Sequence, residues 1–99
     1  MKGLPNRVWD DFTQSMRIGR FGWKANVATL AHQTAGAFQG DIGITSTQHP
    51  QEACMPAQHD CLAAPGGGQD GGPEIDERTL ADVVFYQATL APAARRAID

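Results

Sequence analysis

The chain has 99 residues and a formal net charge of −3; 41% of its residues are apolar and 19% are charged. Because 15 of the apolar residues are alanine and two are cysteine, only 24 large apolar side chains remain, which predicts one domain with a thin hydrophobic core. No apolar run approaches the roughly 18 residues of a membrane span. The scatter of eight cationic residues in an acidic chain argues against nucleic-acid binding, and no signal peptide is visible.

The first 24 residues show no sustained period of either a strand or a helix. Their aromatic side chains stand irregularly among Asp, Arg and Gly, at Trp9, Phe12, Phe21 and Trp23. The weak alternation of Met16, Ile18 and Arg20 favours a short extended piece only. Asp10 and Asp11 are adjacent, and we expect them to be solvated because neighbouring side chains generally point apart.

Residues 26–39 predict the first helix. Its apolar face collects Val27, Leu30, Ala31, Thr34 and Phe38. Asn26 is the N-cap candidate, and Gly40 stands where a left-handed residue would end the helix. Gly36 costs about 1 kcal/mol relative to alanine inside a helix, and we expect it to allow close packing.

Residues 41–75 carry no sustained period, and Pro50, Pro56 and Pro65 with five closely spaced glycines predict an irregular Gly/Pro-rich loop. This length suits a surface strap laid over something larger. Residues 77–91 then predict the second helix, with Asp76 as N-cap and Pro92 marking its end. The predicted buried stripe of this helix is Leu80, Val83, Val84 and Leu90. Two helices with long connections predict an all-α fold.

Cys54 and Cys61 allow four interpretations. A zinc site with His49 and His59 fits none of the usual ligand spacings, and a redox pair would need a CxxC beside a βαβ unit. Two free thiols remain an alternative. A local disulfide, which implies an oxidising compartment, is favoured because it would restrain a loop with little apolar content. For His32, His49 and His59 we expect solvation or backbone hydrogen bonds, so no metal site is predicted.

The run Arg20-Phe-Gly-Trp-Lys24 places two cations and two aromatic rings around a glycine. One interpretation is an amphipathic turn, with both rings in the core and the charges in water. The other is an anion-binding corner against a flat apolar ligand, on which Trp23 stacks. The residues alone favour the amphipathic turn.

Longer segments carry a family resemblance. Residues 20–25 read RFGWKA, residues 33–46 read QTAGAFQGDIGITS, and residues 8–10 and 90–96 fit the same pattern. In these segments the chain resembles the di-haem oxidoreductase family, peroxidase-like c-type cytochromes. The resemblance covers nearly all 99 residues and implies a cytochrome-c-like fold and haem c as the cofactor.

The chain departs from the family at the haem-attachment motif. Such cytochromes attach each haem through CxxCH, whereas Met-Pro-Ala follows Cys54 and Leu-Ala-Ala follows Cys61. We therefore expect residues 1–99 to be one partial domain, an inter-haem segment of a larger protein, without covalent haem or activity of its own. The alternative is a non-catalytic, stand-alone interaction or scaffold domain that has lost its haem-binding segments.

The resemblance also implies partners, a location and site residues. The partners would be the remaining haem-bearing segments and an electron-donor protein, and the location would be the periplasm. Arg20, Trp23 and Lys24 become candidate haem contacts, with the cations facing propionates and the indole near the porphyrin. The same role is open to Arg95 and Arg96. Axial ligation by His32, His49 or Met55 is carried by no motif, and the catalytic residues stay unassigned.

Overall fold

We describe residues 3–96 of a computed structural model of the chain. Two strands come first, β1 (Arg7–Asp10) and β2 (Ser15–Ile18). Three helices follow: α1 (Leu30–Ile42), α2 (His59–Ala63) and α3 (Glu77–Thr89). Near the start of the chain β1 packs on β2, and α1 packs on α3.

The strands form an antiparallel hairpin in which Arg7 lies opposite Ile18 and Asp10 opposite Ser15. Asp10 is fully buried. Its carboxylate accepts hydrogen bonds from the Phe12 backbone N–H (3.1 Å) and the Thr13 hydroxyl (2.8 Å). These bonds close an Asx-type turn, which explains why the chain reverses at this point. The expectation that Asp10 would be solvated is wrong.

The hairpin also overturns the all-α prediction, because the fold is a small mixture of helices and a two-stranded sheet. Each strand has only four residues, and every residue of β2 is exposed. In a strand without a buried face, nothing requires apolar and polar residues to alternate along the sequence. The sequence therefore carried only the brief alternation at Met16 and Ile18.

A short return segment, residues 19–28, follows the hairpin. The N–H groups of Arg20 and Phe21 both donate to the Val27 carbonyl (2.8 and 3.0 Å). Gly19 is required here, since a Cβ atom at this position would collide with the backbone carbonyl of Ala25. The return segment therefore lies directly against the end of β2.

Helix α1 begins four residues and ends three residues later than predicted. Thr29, not Asn26, is its N-cap and accepts a hydrogen bond from the His32 N–H (3.1 Å), because the preceding residues pair with Phe21. The helix continues through Gly40 and ends at Gly43, which has a left-handed φ of 68°. A Cβ atom at position 36 would have no neighbouring atom within 4 Å, so close packing does not explain the glycine at this position.

Helix α3 begins as predicted and ends at Thr89, slightly earlier than expected. Asp76 is the N-cap, and its side chain accepts a hydrogen bond from the Thr79 N–H (2.7 Å). Leu80 is buried at 4% exposure, whereas Leu90 is 57% exposed and lies beyond the helix. The predicted buried stripe is therefore wrong at Leu90.

The core lies between α1 and α3. Its members are Ala35, Ile75 and Leu80, with Phe38 and Ile44 packed against them. A hydrogen bond joins Thr34 Oγ1 to Gln87 Oε1 across the two helices (2.8 Å). The Thr45 N–H donates to the Glu74 carboxylate (2.9 Å) and the Ile75 N–H donates to the Thr45 carbonyl (3.1 Å). These bonds fasten the end of α1 to the start of α3.

The protein is elongated for its size. Its dimensions are 56 × 26 × 25 Å and its radius of gyration is 16.7 Å, against about 13 Å for a compact chain of this length. Its accessible surface is 8156 Å², whereas a folded monomer of this mass exposes about 5,500 Å². No helix among residues 3–96 is long and apolar enough to cross a bilayer.

Candidate functional site

Three arginines converge beside the hairpin, in a pocket of about 310 Å³. They are Arg7 of β1, Arg17 of β2 and Arg20 of the return segment, which gives half of the arginines in the chain. Met16, Ile18, Phe21 and Ala28 complete its wall, and no carboxylate from the described part of the chain lines it. We call this cavity the arginine pocket.

The arginine pocket can bind an anion, since guanidinium groups pair with carboxylates or phosphates through parallel hydrogen bonds. Arg17 is partly engaged, because its Nη1 lies 3.3 Å from the buried Asp10 carboxylate. Neither Arg7 nor Arg20 has an ion-pair partner among the described residues. Within an acidic chain, this arrangement concentrates positive charge at one place.

Trp23 and Lys24 stand next to the arginine pocket in sequence but do not line it. The Trp23 side chain is 83% exposed, so the amphipathic-turn interpretation, with this ring in the core, is wrong. Phe21 is half-buried and does contribute to the pocket wall. The structure thus presents the indole and two cations on an open surface.

The backbone around Trp23 adopts an uncommon conformation. Lys24 and Ala25 both have positive φ values, 58° and 51°, next to Gly22 at 75°. Left-handed backbone costs roughly 1–2 kcal/mol for a residue that carries a Cβ. Two such residues in succession hold the indole away from the protein, and the Asn6 side chain supports this loop by donating to the Ala25 carbonyl (3.1 Å).

A family model described as "Di-haem oxidoreductase, putative peroxidase" matches residues 8–99. The chain belongs to this di-haem oxidoreductase family. The match confirms the resemblance carried by the RFGWKA and GDIGITS segments. No curated protein and no solved structure matches the chain.

Membership in a di-haem family implies haem, and two features of the site fit such a group. The arginine pocket matches the carboxylates that a haem carries at its edge, and the exposed Trp23 indole matches its flat apolar face. The pocket is too small to enclose a porphyrin. Any contact with such a group would therefore be at its edge or on one face.

The three candidates for axial ligands are not arranged around a haem-sized cavity. His32 and His49 lie side by side, with ring centroids 5.8 Å apart, at a cavity of only about 90 Å³. Met55 is 68% exposed in the loop that precedes α2. Arg95 and Arg96 are exposed beyond the end of α3.

The structure joins Cys54 and Cys61 in a disulfide, with Cα atoms 5.9 Å apart. This is the interpretation that the sequence favoured, and it brackets the start of α2. Among the described residues, no three His, Cys, Asp or Glu side chains lie together in a metal-binding cluster.

Sequence reasoning missed Arg7 and Arg17 as neighbours of Arg20. Their proximity depends on the strand register, in which Arg7 pairs with Ile18, two residues before Arg20. Had the hairpin been recognised, the turn signal at Asp10 and Thr13 would have brought these three residues together.

Proposed function

We propose that this chain forms the segment between the haem-attachment segments of a periplasmic, peroxidase-like c-type di-haem oxidoreductase. In this proposal it supplies haem contacts and structural support, while the haems are attached elsewhere. The observation that carries the proposal is the family match over residues 8–99 in a chain that contains no CxxCH.

The surface of the protein supports this role. Its accessible area exceeds that of a compact monomer by well over 2,000 Å², whereas a standard interface takes about 800 Å² from each partner. The exposed large side chains include aromatic rings at both ends of the fold: Trp9, Phe12, Trp23, Phe85 and Tyr86. Such area is sufficient for extensive packing against the haem-bearing segments.

In the proposed site, Arg20 binds a haem carboxylate from the arginine pocket, with Arg7 alongside. Trp23 covers part of the apolar face, and Lys24 adds a positive charge at the rim. When bound, haem supplies the redox chemistry, and the protein supplies orientation and electrostatics. Since cations favour the more negative state of a nearby group, these residues would also influence its reduction potential.

The periplasmic location is supported by the disulfide, because such bonds persist in oxidising compartments. An electron-donor protein is the further partner that we propose for the assembled enzyme, by analogy with the c-type cytochrome family. The electron donor would approach a surface of the assembled molecule.

The experiment is to sequence the DNA on both sides of the segment and to express the whole reading frame with the cytochrome c maturation system. We expect CxxCH motifs outside residues 1–99 and a haem-staining band after denaturing electrophoresis. The 99-residue chain expressed in the same way serves as the control and should carry no covalent haem. Stop codons that confine the frame to these residues, or covalent haem on the chain itself, would overturn the proposal.

A further inference from the structure

Two imidazole rings meet beside the first turn of α1, away from the arginine pocket. His32 belongs to that turn and His49 to the loop after α1, and their ring centroids are 5.8 Å apart at a tilt of 38°. Phe12 packs on His32 with a centroid distance of 5.6 Å. The hairpin turn, the helix and the loop thus contribute to one cluster.

Each ring holds one nitrogen that is shielded from solvent and has no hydrogen-bond partner within residues 3–96. These atoms are His32 Nδ1 and His49 Nε2. A buried polar atom left without a partner costs roughly 1–3 kcal/mol, so native proteins rarely leave one unsatisfied. Both histidines line a cavity of about 90 Å³, together with Asp11 and Gln48.

The neighbouring groups prepare these nitrogens to act as ligands. Asp11 Oδ2 lies 3.7 Å from His32 Nε2, and a carboxylate there favours the tautomer with its proton on Nε2, which leaves a lone pair on Nδ1. The backbone of each histidine is also fixed. The His32 N–H donates to Thr29 Oγ1 (3.1 Å), and the His49 N–H donates to the buried Ser46 hydroxyl (3.2 Å).

We propose that His32 and His49 form a two-imidazole site for a late first-row transition-metal ion, with Asp11 as a positioning residue. Neutral imidazole suits copper, nickel and zinc, and the affinity of nitrogen sites is greatest for Cu²⁺. No third His, Cys, Asp or Glu joins the cluster within residues 3–96. Water completes the coordination, and the affinity is modest.

The test titrates the full chain, disulfide intact, with Cu²⁺ in a calorimeter and repeats the titration with Mg²⁺. We expect one Cu²⁺ per chain at this site and no Mg²⁺ binding. H32A and H49Q should each weaken Cu²⁺ binding at least tenfold, and D11N should weaken it by about tenfold as a second-sphere change. H59A is the matched control, because His59 is exposed on α2, and it should bind as the parent does.

Electron paramagnetic resonance distinguishes direct coordination of Cu²⁺ from a purely structural role of the two histidines. The bound Cu²⁺ should show coupling to two imidazole nitrogens in the parent and to one in H49Q. H49Q keeps the backbone bond to Ser46, so it should retain the parent's far-UV circular dichroism even if H32A does not fold. Coupling to fewer than two nitrogens in the parent, or equal affinity in the parent and H49Q, would show that water alone fills the cavity and overturn the proposal.

Discussion

Asp10 is the residue on which the hairpin depends. It is fully buried, yet its carboxylate is surrounded by donors from Phe12, Thr13 and Arg17. The Thr13 hydroxyl, followed by the Phe12 N–H, lowers the pKa of this carboxyl below its ordinary value against the opposing effect of burial. The charged form of Asp10 is therefore tied to the folded hairpin.

This lowered pKa predicts how the hairpin responds to acid. A carboxyl whose pKa is lower in the folded state adds stability above its ordinary pKa, near 4, and loses it as the pH falls further. We expect the protection of the β1 and β2 amides, measured against the intrinsic exchange rate at each pH, to fall below about pH 4. D10N should show faster exchange already at neutral pH, whereas D82N, an exposed change on α3, should match the parent. Unchanged exchange in D10N would contradict this role.

Two aspartates show why a residue's role is only partly predictable. Asp76 was identified as a cap because a clear helical period follows it, and the bond to the Thr79 N–H is formed within the next turn. Asp10 closes a turn between two strands that are mostly exposed, so their sequences show no clear alternation of apolar and polar residues. Its contact with Arg17 also spans seven residues. Local sequence signals therefore predicted the role of Asp76 and missed that of Asp10.

At the scale of elements, the contact between α1 and α3 is the only helix pair with a buried core among the described residues. Leu80 reaches into it from α3, against Ala35 and Ile75. Because the core has so few side chains, the neighbours of a truncated side chain cannot fill the cavity that it leaves.

Truncation of Leu80 should therefore be severe. L80A removes a buried side chain and leaves a cavity, at a cost of about 2–5 kcal/mol. L90A makes the same chemical change at an exposed position and should alter the free energy of unfolding by less than about 0.5 kcal/mol. Urea denaturation followed by circular dichroism at the helix band measures both. An equal decrease in the free energy of unfolding in L80A and L90A would show that Leu80 is not a core residue.

An element was predictable from the sequence where one of its faces is buried, because burial produces a regular spacing of apolar residues. Both long helices were predicted close to their observed positions, since each has an apolar stripe. The start of α1 was misplaced because Val27 pairs with Phe21 within the return segment, which keeps the residues before Thr29 out of the helix. The hairpin was missed because β2 is exposed throughout and the one buried residue of β1 is the polar Asp10, so neither strand shows a sustained apolar alternation. The convergence of arginines was missed with it.

At the scale of the whole molecule, the thin core predicted from composition has a structural counterpart. Only four hydrophobic side chains, Ala28, Ala35, Ile75 and Leu80, are buried among the described residues. The elongated shape and the large accessible area agree with that count. A chain of this kind presents surface to partners, and in a di-haem oxidoreductase we propose that those partners carry the haems.

We propose that haem lies against the surface formed by Arg20 and Trp23. The most direct measurement uses W9F, which leaves Trp23 as the sole tryptophan, and follows its fluorescence as a ferric haem peptide with free propionates is added. Haem quenches a nearby indole by energy transfer. The account predicts saturable quenching, weakened several-fold by R20Q and unchanged by R78Q, an exposed arginine on α3. Quenching that does not saturate, or that is the same in R20Q and R78Q, would contradict it.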